Sequence, residues 1–351
     1  MKKNLDKSFP INIAIVGGGR RVSLFYIELC THFESIGLVN VVGISNRTLS
    51  KVQDFSKHFN CNLYETVEEL IECEDVDAAI LSVSSEVKDN IAMFLVRSGV
   101  HLFLDSPVTN NIFFLRKLIK QAFIRKVRIE VAEDQSFSPE AQLQREILAS
   151  GIFGKLQIVD NRNKEIDYHA IARLRNIGVS LGDKFLASSF SYKINEKVTV
   201  SCQTVKFNTV LYLSKYISPK KTLIKSERDF VLVCEKGVIT SNYAEHDAYG
   251  RIFFQKKPQC DDGAPQSSIN MLSVKLGEDE FKWSSGALPK EWSRKHHGLH
   301  RLLDTWINGI TNQGLLSYGV QSSIQDLKIL TSLRISKRTR IPIPSFIVNI
   351  L

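Results

Sequence analysis

The 351-residue chain contains no run of eighteen apolar residues, so nothing in it reads as a transmembrane helix. Its N-terminal stretch, MKKNLDKSFP, is basic but has no apolar segment behind the charges, which is not the pattern of a secretion signal. A cytoplasmic location is therefore expected. The six cysteines (Cys30, Cys61, Cys73, Cys202, Cys234 and Cys260) include no C-x-x-C pair, which argues against both a disulfide framework and a zinc site. Adjacent His296 and His297 do not share a helix face and have no carboxylate at ligand spacing, so no metal is expected. There is no internal repeat and no low-complexity tract. The net charge of +9 raises nucleic-acid binding, but no basic helix is interleaved with aromatic residues. The densest basic stretches, Arg334–Arg340 and Arg116–Arg128, read as a solvated face or as attraction for an anionic cofactor. Neither a nucleic acid nor a membrane is expected as partner.

At 43% hydrophobic and 24% charged residues, the composition is that of a globular protein long enough for two domains. Residues Ile11–Val22 read INIAIVGGGRRV. A short apolar run ends in three glycines and leads into a helix, the layout that seats a pyrophosphate on exposed backbone N–H groups. Gly17 makes the turn, Gly18 follows, and Gly19 lets the backbone approach the phosphates. The third small residue of the fingerprint is replaced by Val22. Strand and helix patterns then alternate: strands Val39–Ser45, Ala78–Val83, Val100–Asp105 and Val127–Ala132, with helices Ser23–Ser35, Ser50–Phe59, Ile91–Ser98 and Phe113–Ile124. Thr66 and Glu69 form a capping box that opens a further helix. This alternation predicts a doubly wound parallel sheet with helices on both faces, over a dinucleotide-binding domain of residues 1–132. Ligands of such sheets sit beyond the carboxyl ends of the strands, which directs attention to Gly17–Gly19, Ser45–Arg47, Ser84, Asp105–Pro107, Glu133 and Asp134.

The turn after the second strand, Ser45-Asn46-Arg47-Thr48, has no carboxylate to hold a ribose 2′-hydroxyl. Serine and arginine there suit a 2′-phosphate, the arginine through charge-assisted bonds, and Arg20 and Arg21 add to the field or face solvent. The expected cofactor is NADP(H) in preference to NAD(H).

Beyond Ala132 the pattern changes. Ser138-Pro139 starts a helix that stops before Gly151. Leu156–Asn161, Lys197–Phe207 and Phe230–Ser241 are β-rich, the last with a turn at Lys236-Gly237. Gln255–Ser268 reads as a loop, and His297–Asn308 and Ser322–Leu333 as helices. Residues 133–351 are expected to form an α+β domain with a large, mostly antiparallel sheet.

IAIVGGG at Ile13–Gly19 and the run DAAILSVSSEVKDNIAMFLVRSGVHLFLDSP at Asp77–Pro107 resemble the glucose–fructose oxidoreductase / inositol dehydrogenase / MocA family. So do SPEAQLQREILASGIFGKL at Ser138–Leu156, DYHAIARLR at Asp167–Arg175 and SSIQDLKILTSLRISKRTRIPI at Ser322–Ile343. The resemblance implies a Rossmann domain that binds a nicotinamide cofactor, here through Gly17, Gly18, Gly19, Arg20, Arg21, Ser45, Asn46, Arg47, Ser84, Asp105 and Pro107. It also implies a second domain whose open sheet builds homodimers or homotetramers. Two departures stand out. The family's Glu-Lys-Pro motif, whose lysine orients substrate and relays a proton, is Asp105-Ser106-Pro107 here. A serine hydroxyl is a poor proton donor near neutrality. The later Asp-x-x-x-His motif is altered too, with His169 in the histidine position and Glu165 where the aspartate would stand.

A helix over Glu165–Asn176 would put Glu165, His169 and Arg173 on one face. His169 has the intrinsic pKa to pass a proton near neutrality, and Tyr168 beside it is a second donor. The expected catalytic residues are thus His169, Tyr168, Ser106 and Glu133, with Arg173 and Asp134 binding substrate. A solvent-facing helix with weak i, i+4 charge pairs is the alternative. Biliverdin reductases and thiazolinyl imine reductases resemble the same family and also lack the lysine. By that resemblance, hydride transfer to a C=N bond or a conjugated C=O/C=C is favoured over oxidation by a sugar or cyclitol dehydrogenase. A non-catalytic nucleotide-binding regulator or scaffold of the same fold is the second expectation.

Overall fold

The computed structural model describes residues 9–162, 166–181, 185–195, 198–218, 230–257, 269–289, 292–312, 314–339 and 343–344. The chain divides into two compact units. The first runs through Glu133 and also takes in Leu299–Ile324; the second comprises Asp134–Gly298 and the chain from Gln325 onward.

The first unit is built on a parallel six-stranded sheet: β1 (Ile11–Val16), β2 (Val39–Ser45), β3 (Asn62–Tyr64), β4 (Ala78–Leu81), β5 (His101–Asp105) and β6 (Ile129–Ala132), in the order β3-β2-β1-β4-β5-β6. The strands β4 and β6 are buried at every position, as they must be when helices cover both faces. Those helices are α1 (Ile27–Ser35), α2 (Gln53–Phe59), α3 (Val67–Cys73), α4 (Ser85–Arg97) and α5 (Ile112–Arg125). Both arms of the capping box of α3 are formed: Glu69 N–H donates to Thr66 Oγ1 at 3.2 Å, and Thr66 N–H donates to Glu69 Oε2 at 3.3 Å. The order reverses between β1 and β4, and sheets of this order bind their ligands beyond the strand ends at such a point.

The strand β6 would be an open edge were it not closed by the returning segment 299–324. Val131 N–H donates to Tyr318 O, Tyr318 N–H donates to the Glu130 carboxylate, and Glu130 bridges Gly319. The ring of Trp306 lies 5.5 Å from that of Phe103, and His300 stacks on Phe33 at 5.0 Å. A sequence boundary at residue 132 therefore captures only the first part of this unit.

In the second unit Ser138 caps α6 (Pro139–Ala149), with Pro139 in the first turn, and α7 covers Tyr168–Asn176. Strands β7 (Leu156–Arg162), β8 (Phe185–Asn195), β9 (Val198–Phe207), β10 (Val210–Ser218), β11 (Phe230–Cys234), β12 (Gly237–Ile239), β13 (Tyr243–His246) and β14 (Gly250–Phe253) belong to one sheet of nine. A three-stranded sheet holds β15 (Gln255–Lys257), β16 (Met271–Leu276) and β17 (Asp279–Ser284). The ninth strand of the large sheet is β18 (Ile343–Pro344), and its order is β14-β13-β12-β11-β7-β10-β9-β8-β18. Among the described residues of this sheet, only β7 and β10 pair in parallel; the other pairings are antiparallel. Along β9, Ser201, Gln203, Val205 and Phe207 are buried while Lys206 is exposed, the period of two expected of a sheet with one covered face. The helices α8 (Arg294–Asn312) and α9 (Val320–Thr339) are longer than their sequence patterns suggest. No helix among the described residues is long and apolar enough to cross a membrane.

Candidate functional site

The turn after β1 is shaped around Gly17. Its φ is +119°, and a Cβ there would stand 2.0 Å from the carbonyl oxygen of Ser82 at the end of β4. Only glycine brings the two strand ends that close together. Gly17 N–H donates to Ser45 O at 2.9 Å, which fastens the turn to the end of β2 as well. Gly19 is exposed, a Cβ on it would meet open space, and its carbonyl receives Val22 and Ser23 N–H. The first N–H groups of the helix that starts there have no intrahelical acceptor, so they are available to an anion. The turn thus leaves open space at Gly19 for a bound anionic group.

The helix beyond Gly19 has an unusual start. Val22–Tyr26 form a π turn, closed by Ile27 N–H donating to Val22 O, and only then does α1 begin. Val22 is fully buried where the fingerprint expects a small residue. The wide turn has a consequence for the side chains. In an α-helix residues five apart point about 140° away from each other. Here Arg21 and Tyr26 meet, the Arg21 Nε donating to the Tyr26 oxygen at 3.1 Å.

Both are tied to Asp105, the last residue of β5. Arg21 Nε lies 2.6 Å from Asp105 Oδ1, the Tyr26 hydroxyl donates to the same oxygen, and the Ser82 hydroxyl donates to Oδ2. Arg21 Nη2 also donates to Ala132 O, at the end of β6, at 3.1 Å. Tyr26 is fully buried, and burial together with the neighbouring Asp105 carboxylate pushes its pKa well above the usual phenol range. The sequence suggests Arg21 beside a 2′-phosphate at β2. Its guanidinium is instead at β5 and β6, three strand spacings or about 14 Å away. The Ser106 hydroxyl is likewise committed, donating to Ala132 O at 3.0 Å. Beneath it, buried Lys88 of α4 donates to the carbonyls of Asp105 (3.3 Å) and Pro107 (2.5 Å), and burial lowers its pKa.

Sequence reasoning does not single out Tyr26, Ser82 or Lys88. Tyr26 is aligned with Arg21 only by the π turn, and Ser82 and Lys88 carry no local pattern that marks them.

At the other half of the sheet, Ser45 is buried and contributes its carbonyl to Gly17. Asn46 Nδ2 donates to Thr48 O at 2.7 Å, which shapes the turn and leaves Arg47 exposed. Arg20 and Ser84, the latter at the N-cap of α4, are also exposed. Glu133 is fully buried and its N–H donates to Val131 O.

In the second unit, Asp167 caps α7 by accepting Ala170 N–H at 2.8 Å, so the helix begins at Tyr168. Glu165 lies outside the described residues. Tyr168 is buried, His169 is half-buried, and their rings stand 6.1 Å apart. Arg173 donates to Gln144 Oε1 at 2.8 Å and lies 4.6 Å over the Phe230 ring. Asp134 is buried in a short 3-10 turn whose carbonyl would clash with a Cβ at Gly298. Neither Arg173 nor Asp134 stands as a simple solvent-facing charge.

No group of three or more His, Cys, Asp or Glu side chains converges as a metal site among the described residues. His296 stacks on Trp292 at 5.7 Å, and His297 packs edge-on to Trp283 at 5.1 Å. Arg334, Lys337 and Arg338 are exposed on α9; Arg340 lies outside the described residues.

Residues 11–133 match the profile of a family described as an oxidoreductase family with an NAD-binding Rossmann fold. An uncharacterized oxidoreductase of Synechocystis is 24% identical over 156 residues, 44% of this chain and 41% of that protein. The trans-1,2-dihydrobenzene-1,2-diol dehydrogenase of Bos taurus is 26% identical over 120 residues, 34% and 36% of the two chains. The chain thus spans less than half the length of the curated relatives it matches. Among solved structures, an Agrobacterium radiobacter oxidoreductase in complex with NAD+, L-tartaric acid and magnesium superposes with a TM-score of 0.72 at 12% identity. That likeness covers 96% of this chain and 98% of the other. A Synechocystis biliverdin reductase with biliverdin and NADP+ superposes with a TM-score of 0.65 at 13% identity, covering 94% and 99%. The fold is shared along the chain, and residues 11–133 match the Rossmann-domain model of the glucose–fructose oxidoreductase / inositol dehydrogenase / MocA oxidoreductases.

Proposed function

We propose that this chain is an NADP(H)-preferring oxidoreductase that reduces a small-molecule C=N bond or a conjugated C=O/C=C. The observation that carries the cofactor reading is the end of β2. The Ser45–Thr48 turn offers no carboxylate, Ser45 is turned inward, and the exposed groups next to it are Arg47 and, on the glycine turn, Arg20. An arginine fork there favours the 2′-phosphate of NADP(H). When bound, the reduced nicotinamide supplies hydride to carbon, and one proton must reach the nitrogen or oxygen. With Ser106 donating to Ala132 O, residue 106 is not a ready proton source. An imine needs less acid assistance than a ketone, which favours C=N substrates over sugar or cyclitol alcohols. His169, flanked by Tyr168, is our proposed proton donor. Arg173, engaged by Gln144 and Phe230, fits a structural role better than a substrate contact. Leu186 and Phe190 are exposed on β8 of the large sheet, which suits a homodimer or homotetramer formed through that sheet.

The test is a parallel fluorescence titration with NADPH and NADH, on wild type and Arg47→Glu. Tighter NADPH binding that falls by about tenfold or more in the variant, with NADH spared, supports the reading. Equal affinities in both proteins would refute the preference. Binding without turnover of any imine or conjugated carbonyl would favour the second reading, a nucleotide-binding regulator, which the committed Ser106 hydroxyl also fits.

A further inference from the structure

We propose that a cavity at the amino ends of β5 and β6 is a separate ligand site that takes a fatty-acid-like monocarboxylate, its aliphatic body on an apolar floor and its carboxylate on Arg128 and Lys126.

The cavity measures about 700 Å³ and lies within the first unit. It is walled by the end of α5, the starts of β5 and β6, and the segment that joins α8 to α9. Cavities of roughly 300–1,000 Å³ hold small-molecule ligands. The strands of this sheet are parallel, so the glycine turn after β1 stands at their opposite ends, at least one strand length or about 13–17 Å away.

Ala122, Val127, Ile129 and Ile310 line the cavity and are buried, which makes them its floor. Phe123 and Leu315 also line it, yet they are 85% and 94% exposed, the two most exposed large apolar side chains among the described residues. Single exposed apolar residues are ordinary. Two such extremes at one apolar cavity mark a surface that a ligand covers.

The charge at this cavity is of one sign. Lys126 and Arg128 line it, and no Asp or Glu does so among the described residues. The helix α5 contains no carboxylate over its whole length. Lys126 is the C-cap of α5, where a cation is favourable against the helix dipole in any case. Arg128 lies beyond the helix, and its place has another cause. It stands half-buried just before β6, where its N–H donates to His101 Nδ1 at 2.9 Å and its Nη1 donates to Gly314 O at 2.5 Å. Those bonds fix the side chain and leave Nε and Nη2 without an acceptor among the described residues. Nε and Nη2 form one edge of the guanidinium, the edge that receives both oxygens of a carboxylate. Drawing a guanidinium part-way out of water costs free energy that a carboxylate partner offsets. Arg128 has no such partner among the described residues, and burial lowers its pKa. An incoming carboxylate supplies the missing counter-charge.

A second copy of the chain, docked symmetrically on this face, would set the same cations against each other. A flat membrane surface would cover Phe123 and Leu315 but leave the floor empty. An aliphatic chain that ends in one carboxylate satisfies the floor, the mouth and the guanidinium together.

Decanoate is the probe, titrated calorimetrically into the full chain, with 1-decanol as its uncharged counterpart. Two double variants are compared: Arg128→Gln/Lys126→Asn, which removes the charge, and Phe123→Asn/Leu315→Asn, which changes only exposed side chains and so does not endanger the fold. Wild type should bind one decanoate per chain and bind decanol about tenfold more weakly or worse. The charge variant should lose about tenfold or more in decanoate affinity, and the apolar variant about fivefold or more. Saturating NADPH should leave decanoate binding unchanged. Absence of saturable decanoate binding, equal affinity in wild type and both variants, equal affinity for decanol, or competition with NADPH would each overturn the proposal. So would co-sedimentation with phosphatidylglycerol vesicles, or self-association in sedimentation velocity, if the apolar variant abolishes it and decanoate does not bind. The first of these results would assign the face to a membrane and the second to another copy of the chain.

Discussion

Glu130 lies in the middle of β6 with no exposed surface, its pKa pushed up to about 8 by burial against the opposing hydrogen bonds from the backbone at Tyr318 and Ser317. Its Oε2 has no hydrogen-bond partner among the described residues. A carboxyl whose pKa rises on folding contributes most below its unfolded value, about 4.5, and the contribution is lost as pH rises toward 8. Each pH unit in that window costs about 1.4 kcal/mol, so from pH 4.5 to pH 7 the loss is about 3 kcal/mol. Glu130→Gln removes the ionisation, keeps the acceptor for Tyr318 N–H, and puts an amide N–H₂ where the acid would carry its proton. At pH 5 the variant should match wild type within about 1 kcal/mol; at pH 8 it should be more stable by about 3 kcal/mol or more. Hydrogen exchange of the β5 and β6 amides, followed by mass spectrometry from pH 5 to 8.5, reads this in the first unit alone. Wild-type and variant protection that stay parallel across that range would refute the reasoning.

Two further predictions concern other parts of the molecule. His297 is buried against the rings of Trp283 and Trp292, and burial, with His296 adding to it, lowers its pKa to about 4. Its contribution is present above pH 6.5 and is lost as pH falls toward 4, so at pH 5 the cost is about 2 kcal/mol, and His297→Phe should flatten the thermal-stability profile between pH 7 and 5; an unchanged slope counts against it. Gly17→Ala should cost about 1–3 kcal/mol from the positive φ alone and abolish dinucleotide fluorescence, because the Cβ would press on the Ser82 carbonyl; retained cofactor affinity would mean the crevice is not the binding site.

The parts of this fold that sequence reveals are those with a local cause. The apolar run Ile11–Val16, the Thr66/Glu69 capping box, the Ser138-Pro139 helix start and the Lys236-Gly237 hairpin are all present as read. The helix α4 starts at Ser85 rather than Ile91 because Val87 is the one apolar residue in its first two turns, and that side chain is exposed, so no apolar stripe marks them. The three-residue strand β3 is too short to show a period. Strands β8 and β10 bury serines, such as Ser189 and Ser214, which blurs the alternation of apolar and polar positions. Gln255–Lys257 pairs with β16 through contacts distant in sequence, and the remainder of that predicted loop, 258–268, lies outside the described residues. The candidate site divides in the same way. The glycine turn and the acid-free turn after β2 are visible as letters in a row. The Arg21–Tyr26–Asp105–Ser82 cluster depends on the register of a π turn against two strand ends, which no spacing rule for an α-helix anticipates.

The return of segment 299–324 to close β6 also sets a timetable for biosynthesis. The dinucleotide-binding strands leave the ribosome early, but the residues that cover Phe103 and pair with Val131 are translated more than 160 residues after Glu133. At about 5–20 residues per second, the nascent sheet waits on the order of ten to thirty seconds with an unprotected edge. Such an interval suits a nascent-chain chaperone, and it makes a ribosome stalled between those two points a producer of sticky fragments.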